Sequence, residues 1–335
     1  MKRCILLSVA CFLWAVLLPV ALFRDARYPS PGSAAPLPGI GAEKSTPAPP
    51  ADNRQTFSFL ENGSVRTVTM ADYLPGVVAG EMPASFDLEA LRAQAVAART
   101  YTLYHLQQSR PTHAGAAVCD DPGCCQVWLD EPALREKWGV DYDYYMDRIR
   151  TAVESTDGQY LSYDNAPILA CFHASSPGRT QSSQKVWGRE LPYLVSVSSP
   201  ETVEQVPNLV TTVELSPEEF RRLAETALPQ AEFSQQPGEW LGERIVDESG
   251  RVSSLRIGSA TVPGTEVRNI YSLRSACFEA EWTGRSFLFT VTGYGHGAGM
   301  SQYGANILAK NGSGYAGILA HYYPGTELIA SQIDN

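Results

Sequence analysis

From Cys4 to Phe23 the chain runs for 20 residues without a charge, directly behind the basic pair Lys2 and Arg3. At 1.5 Å rise per residue, a helix of ~20 residues crosses a ~30 Å hydrocarbon core. The positive-inside rule keeps the basic pair in the cytoplasm and places everything after Phe23 across the membrane. Residues 1–23 therefore read as a cytoplasmic start and a transmembrane signal anchor, single-pass in the cell membrane. A cleaved signal peptide is the competing reading. Its apolar core is usually shorter, and no small-x-small cleavage site follows Phe23.

Residues 24–53 form a Pro/Gly/Ala-rich linker containing Pro29, Pro31, Pro36, Pro38, Pro47, Pro49 and Pro50. Such a segment cannot bury a core and holds the following domain off the membrane. The remainder, 54–335, is long enough for one large or two modest domains, and 44% hydrophobic content is enough for a core. The whole chain carries a net charge of −10, or −12 beyond Lys2 and Arg3. An acidic body argues against nucleic acid, whose binding rests on neutralising phosphates. A sugar or other specific ligand suits it better. Five cysteines follow the apolar run (Cys119, Cys124, Cys125, Cys171 and Cys277), too few and too unevenly placed for a disulfide scaffold.

Periodicity and turn chemistry predict an α+β extracytoplasmic domain of mixed helix and sheet. Phe57–Leu60 and Val65–Met70 flank an Asn62-Gly63 hairpin turn. A short helix is expected over Ala71–Ala79, interrupted near Pro83, and a long Ala-rich one over Asp87–Gln107 with Asp87 as N-cap. A further helix is expected over Tyr142–Ser155, and strands at Gln159–Tyr163, Ala166–His173, Tyr193–Val197 and Val210–Leu215. Ser216, Pro217 and Glu219 form a capping box for the helix that follows. Late strands are expected at Arg251–Ile257, Ala276–Trp282 and Leu288–Thr292, with a closing helix after Gly299. Strands and helices do not alternate regularly, which favours α+β over α/β.

Four patches carry chemistry. Glu81 lies among Val77, Val78, Met82, Pro83 and Phe86. An acid in apolar surroundings has its pKa raised, as a general acid needs near neutral pH. The alternative is a solvated Glu at a helix end. Arg99 shares a helical face with Leu88, Ala95 and Leu106, so it points inward and needs a partner. That partner is either an ordinary carboxylate or the Glu81 site. His113, Cys119 and Cys125, with Cys124 adjacent, suit a structural Zn²⁺ or, alternatively, a Cys119–Cys125 disulfide. Such a metal is expected to lie far from the chemistry. Finally, the His173, Ser175 and Ser176 stretch reads as a polar strand end lining a groove, since no nucleophile elbow is present. Alternating glycines around His296, followed by Gln302 and Tyr303, read as a sugar-binding edge.

Taken in order, several blocks resemble the stage II sporulation protein D family, which also contains amidase enhancers. They are Gly80-Glu81-Met82-Pro83, Leu91 to Tyr101, His173-Ala174-Ser175-Ser176, Val186-Trp187-Gly188, Leu191-Pro192-Tyr193-Leu194, Gly293 to Ala305 and Tyr322-Tyr323-Pro324-Gly325. Each block alone is weak, while the ordered set, spanning Thr56 to Glu327, is specific. The resemblance implies a lytic transglycosylase that cuts peptidoglycan glycan strands stripped of stem peptides during forespore engulfment. It implies Glu81 as catalytic acid/base, Arg99 as a residue that matters for activity, and zinc on His and Cys. It also implies a cell-wall amidase and other engulfment membrane proteins as partners. The chain departs from the family in carrying Cys124 where a His is expected before the last Cys, and Ala298 where Val is common.

A transglycosylase of this kind needs a single carboxyl and no cofactor for catalysis. The acid protonates the bridging oxygen and then takes the proton of the muramic 6-hydroxyl, closing a 1,6-anhydro ring. Ordinary glycosidases use two carboxylates. Asp87 and Glu89 are near enough in sequence to keep a muramidase in view, and a non-catalytic glycan-binding amidase enhancer is the rival from another class.

Overall fold

The computed structural model describes residues 50–108 and 113–330. The expected membrane anchor and most of the linker lie outside these residues. Among the described residues no helix is long and apolar enough to cross a membrane. The folded part starts before the linker boundary expected at residue 53. Helix α1 (Ala51–Arg54) is one helical turn, with Ala51 and Asp52 buried. Both carboxylate oxygens of Asp157 accept its first backbone N–H groups, from Ala51 at 2.7 Å and Asp52 at 2.8 Å.

Strands β1 (Thr56–Glu61) and β2 (Ser64–Thr69) pair with Glu61 opposite Ser64, so Asn62 and Gly63 alone make the turn. Their φ values, 48° and 77°, are those of the two-residue hairpin turn the sequence predicts. The expected short helix runs longer, as α2 (Met70–Glu81), capped by Thr69 Oγ1 accepting from the Asp72 N–H at 3.0 Å. Helix α3 (Leu88–Leu106) matches its predicted span, with Asp87 as N-cap. It is the axis of the first core. Its alanines Ala90, Ala93, Ala95, Ala97 and Ala98 are fully buried, and their small size lets neighbours approach on every side.

Beyond β3 (Val118–Cys119), which joins β1 in parallel, come α4 (Glu131–Trp138) and α5 (Tyr142–Glu154). Strand β4 (Gln159–Tyr163) pairs with β5 (Ala166–Pro167). The strand expected over Ala166–His173 is broken. Ala170 and Cys171 donate back to Ile168 and Leu169, which kinks the chain. Its far end, β6 (Phe172–His173), therefore enters another sheet. No strand forms over Tyr193–Val197 either. There the Thr180 side chain takes the Val197 N–H, a role a neighbouring backbone would fill in a ladder. A short α6 (Ser183–Trp187) precedes this segment.

The chain then leaves the first core and builds a second. Strand β7 (Val210–Leu215) leads into α7 (Pro217–Ala227), where Ser216 Oγ accepts from the Glu219 N–H as the capping box predicts. Strands β8 (Leu241–Val246), β9 (Val252–Ile257) and β10 (Ala260–Val262) form one sheet, followed by α8 (Gly264–Ile270). Strands β11 (Phe278–Trp282) and β12 (Phe287–Thr292) join β7 in another. Phe220 is the hub of this core, with the Phe287 ring 3.9 Å away and Tyr271 at 4.8 Å. On its return the chain donates the Gly293 N–H to Leu209 O at 2.7 Å. Strand β13 (Met300–Ser301) pairs with β6, and α9 (Gln302–Lys310) is the predicted closing helix. An unpredicted α10 (Tyr315–Tyr322) and β14 (Glu327–Ala330) complete the first core. The α+β class holds, with two large hydrophobic cores among the described residues and a small third cluster of Val206, Leu209 and Ile307.

Candidate active site

Glu81 ends α2, where the helix dipole is negative and disfavours a carboxylate. Its Oε1 accepts the Val127 N–H at 2.7 Å, and the Gln302 side-chain amide donates to Oε2 at 3.4 Å. Burial outweighs these contacts and the nearby Lys137, raising the carboxyl to about 7. Lys137 donates to the Ala79 carbonyl at 2.8 Å, and burial lowers its ammonium to about 8. The segment that presents Val127 lies flat on α2 because Gly80 and Gly76 have no side chain. A Cβ on Gly80 would stand 2.9 Å from Val127 Cγ1, and one on Gly76 would stand 2.5 Å from Trp128 Nε1.

The other two acids near Glu81 in sequence are engaged elsewhere. Asp87 accepts from the Glu89 N–H, while Glu89 pairs with Arg92 and accepts the Tyr315 N–H at 2.8 Å.

Arg99 points inward, as its helical face requires, but to a partner other than Glu81. Its guanidinium forks onto Asp52 at 2.8 and 2.6 Å and donates to the carbonyls of Gln159 and Val153. It is 1% exposed, so every contact it makes holds elements together.

Of the groove residues, Gln302 and Tyr303 open α9, and the Tyr303 ring meets Phe86 edge-on at 5.0 Å. His173, Ser175 and Ser176, expected to line a groove, are instead buried. The His173 Nε2 and Ser176 Oγ are 2.6 Å apart, and the ring's Nδ1 meets the Ala298 carbonyl at 3.2 Å. Burial holds His173 well below the usual histidine range, so it is neutral. Ser175 bridges Tyr294 through the backbone. His296 is half-buried beside the exposed Trp187, with ring centroids 5.1 Å apart. Burial lowers His296 to about 4, helped by Arg268 and Arg251. The glycine block packs backbone to backbone on the β6 segment. A Cβ on Gly299, at φ 70°, would lie 2.0 Å from the Cys171 carbonyl.

Sequence reasoning missed Glu201. Buried, it accepts the Ser176 N–H at 2.8 Å and the Ser301 hydroxyl, and so ties the His173 strand end to the N-cap of α9. It sits in an irregular loop, where no periodicity marks it.

His113, Cys119, Cys124 and Cys125 converge, with one donor atom of each within 4.8 Å of the others. Tetrahedral zinc at about 2.3 Å from sulfur places its donors roughly 3.8 Å apart, so this set fits. None of the five described cysteines is in a disulfide. The cluster is not remote from Glu81, contrary to expectation. Cys125 stands two residues before Val127, whose N–H holds that carboxylate.

A family model described as "Stage II sporulation protein" matches residues 61–163. Stage II sporulation protein D of Bacillus subtilis (strain 168) is 36% identical over 268 residues, covering 80% of this chain and 76% of that one. Its counterpart in Bacillus amyloliquefaciens is 36% identical over 270 residues, with the same coverage of 80% and 76%. The amidase enhancer of Bacillus subtilis is 28% identical over 308 residues, covering 77% of this chain but 40% of that protein.

Proposed function

Because the chain belongs to the stage II sporulation protein D family, we propose that it acts on the cell wall in sporulation, as a lytic transglycosylase of peptidoglycan glycan strands stripped of stem peptides. The observation that carries this reading is Glu81, a carboxyl raised to about 7 and held by the Val127 N–H and Gln302. At neutral pH such a group exists both as an acid and as a base, and the reaction asks for both in turn. Protonated, Glu81 donates to the glycosidic oxygen as the bond to the muramic C1 breaks. Ionised, it takes the proton of that sugar's 6-hydroxyl while O6 closes on C1. No water enters. Asp87 and Glu89, the acids that follow Glu81 most closely in sequence, are committed to structural contacts, so neither is placed to serve as the second carboxylate of a muramidase.

Trp187 and Tyr303 offer aromatic faces for sugar rings, and Gln302 keeps Glu81 in place. Arg99 supports the fold rather than the chemistry. A structural Zn²⁺ on His113, Cys119, Cys124 and Cys125 would hold the loop that carries Val127, and supplies no step of the reaction. The chain acts outside the cytoplasm, anchored by residues 1–23, beside an amidase that strips its substrate. The similarity to an amidase enhancer supports that partnership.

The product tests the reading. Full-length chain and stripped strands should yield 1,6-anhydro ends, one water lighter than hydrolysed ends by mass spectrometry. Ordinary reducing ends would replace the transglycosylase with a muramidase, and tight binding without any cleavage would make it a binding protein.

A further inference from the structure

Arg251, just before β9, is 3% exposed. Its Nη1 donates to the Arg179 carbonyl at 3.0 Å and to Ser249 Oγ at 3.2 Å, and its Nε has no partner. None of the ion pairs among the described residues includes it. The acid beside it, Asp247, is already saturated. Asp247 Oδ1 accepts from the Ser249 and Arg251 backbones and the Ser249 hydroxyl, and Oδ2 takes the Gln181 amide at 2.6 Å. A buried guanidinium without a carboxylate is costly, and an arriving anion would offset that cost.

Arg251 lines a pocket of about 230 Å³ at the seam between the glycine block and the second core. Lys185 is the second cation of the lining and Ser253 and Thr265 add hydroxyls, while Asp247 also lines the pocket with its oxygens spent on the bonds above, and Val186, Pro263 and Ala276 supply apolar wall. His296 Nδ1 accepts the Ala298 N–H at 3.1 Å and its ring also bonds the Phe172 backbone, so it walls the pocket and leaves Lys185 as the rim donor. The volume falls below the ~300 Å³ at which ligand pockets begin, so it takes an appendage and not a sugar chain. Its mixture of one buried cation, rim donors and apolar wall fits a carboxylate carried on a small alkyl group better than a bare phosphate. The segment that carries His296 into the pocket wall continues to Gln302, which donates to Glu81.

We propose that this pocket is a carboxylate subsite that reads the free lactyl group of muramic acid on strands without stem peptides. The inference rests on the glycan reading above and deepens it. When a stem peptide is attached, that carboxyl is an amide. The charge that Arg251 and Lys185 attract is then gone, and the attached peptide is too large for the pocket. Selection for stripped strands then follows from one pocket, without a separate peptide sensor.

The test reads binding, not cleavage. Full-length Glu81→Gln chain is titrated with three probes of equal length: stripped strands, the same strands with carboxyls amidated, and chitin oligosaccharides. Stripped strands should bind about tenfold tighter than either neutral probe, as a charge-assisted contact predicts. The preference should shrink with added salt. Lys185→Glu should remove most of it, and Arg251→Lys should weaken it. Lys185 is exposed, so its variant decides the matter even where Arg251→Lys does not fold. Equal affinity for all three probes, or a preference that survives both variants, overturns the subsite while leaving the glycan reading in place. A carboxylate preference in a chain whose parent cuts no glycan supports the subsite and overturns the enzyme. Failure to bind any glycan overturns both.

Discussion

At the scale of single residues, Glu81 is a group held out of its ordinary state. Burial favours its neutral form, so the folded chain keeps a proton that the unfolded chain loses. Stability from this group is full below about 4.5, falls as pH rises, and the deficit is complete above about 7. Glu81→Gln should therefore be more stable than the parent above pH 7, by on the order of 1–3 kcal/mol, and converge with it in acid. Denaturant midpoints at two pH values read this directly. The same variant should lose roughly 10²–10⁴ in rate, and the parent's activity should decline above about 7. Arg99 behaves oppositely. Arg99→Ala leaves the Asp52 carboxylate buried and unpaired, which costs about 3–5 kcal/mol. Activity should then track the folded fraction, with the pH profile unmoved. Normal melting with activity lost would return Arg99 to the chemistry. The sequence disclosed the inward face of Arg99 but not its partner, because Asp52 lies in a stretch whose composition reads as linker.

Among elements, the joint between α2 and the cysteine loop decides most. The loop runs from His113 through Cys125 to Val127 and lies against Gly76 and Gly80. Its donors were legible as a ligand cluster from residue type alone. Its route over α2 was not, since nothing in the spacing says which helix a loop will cross. With zinc bound, elemental analysis should find about one ion per chain, and chelation should lower cleavage by freeing the Val127 N–H from Glu81. Metal-free chain with full activity, or a Cys119–Cys125 disulfide in mass spectra, would end that account. The helices with clear punctuation were legible to within a residue or two, as the caps at Asp87 and Ser216 illustrate. Short strands were not, because β5, β6 and β13 are defined by the distant partners they meet.

For the molecule as a whole, the sequence suggested one domain and the described residues build two large cores. The second is assembled from Phe220, Trp240, Tyr271, Phe287 and Phe289, rings scattered over some 70 residues without a period to announce them. Its entry and exit meet at the Leu209–Gly293 hydrogen bond, so the loop of chain between them is closed at the neck. Replacing residues 210–292 with a short glycine turn should leave the first core folded, with a cooperative melt and Glu81 still titrating near 7. Loss of the melt would show that the two cores stand or fall together. The same neck sets an order in time. A chain that emerges N-terminus first completes the second core from one contiguous stretch. The first core must wait for α9 and α10, which arrive after it. Gln302, which steadies Glu81, is thus among the last site residues to be delivered. A nascent chain thus carries Glu81 long before the residue that steadies it arrives, and under the proposed function its acid stays unassembled until synthesis is nearly done.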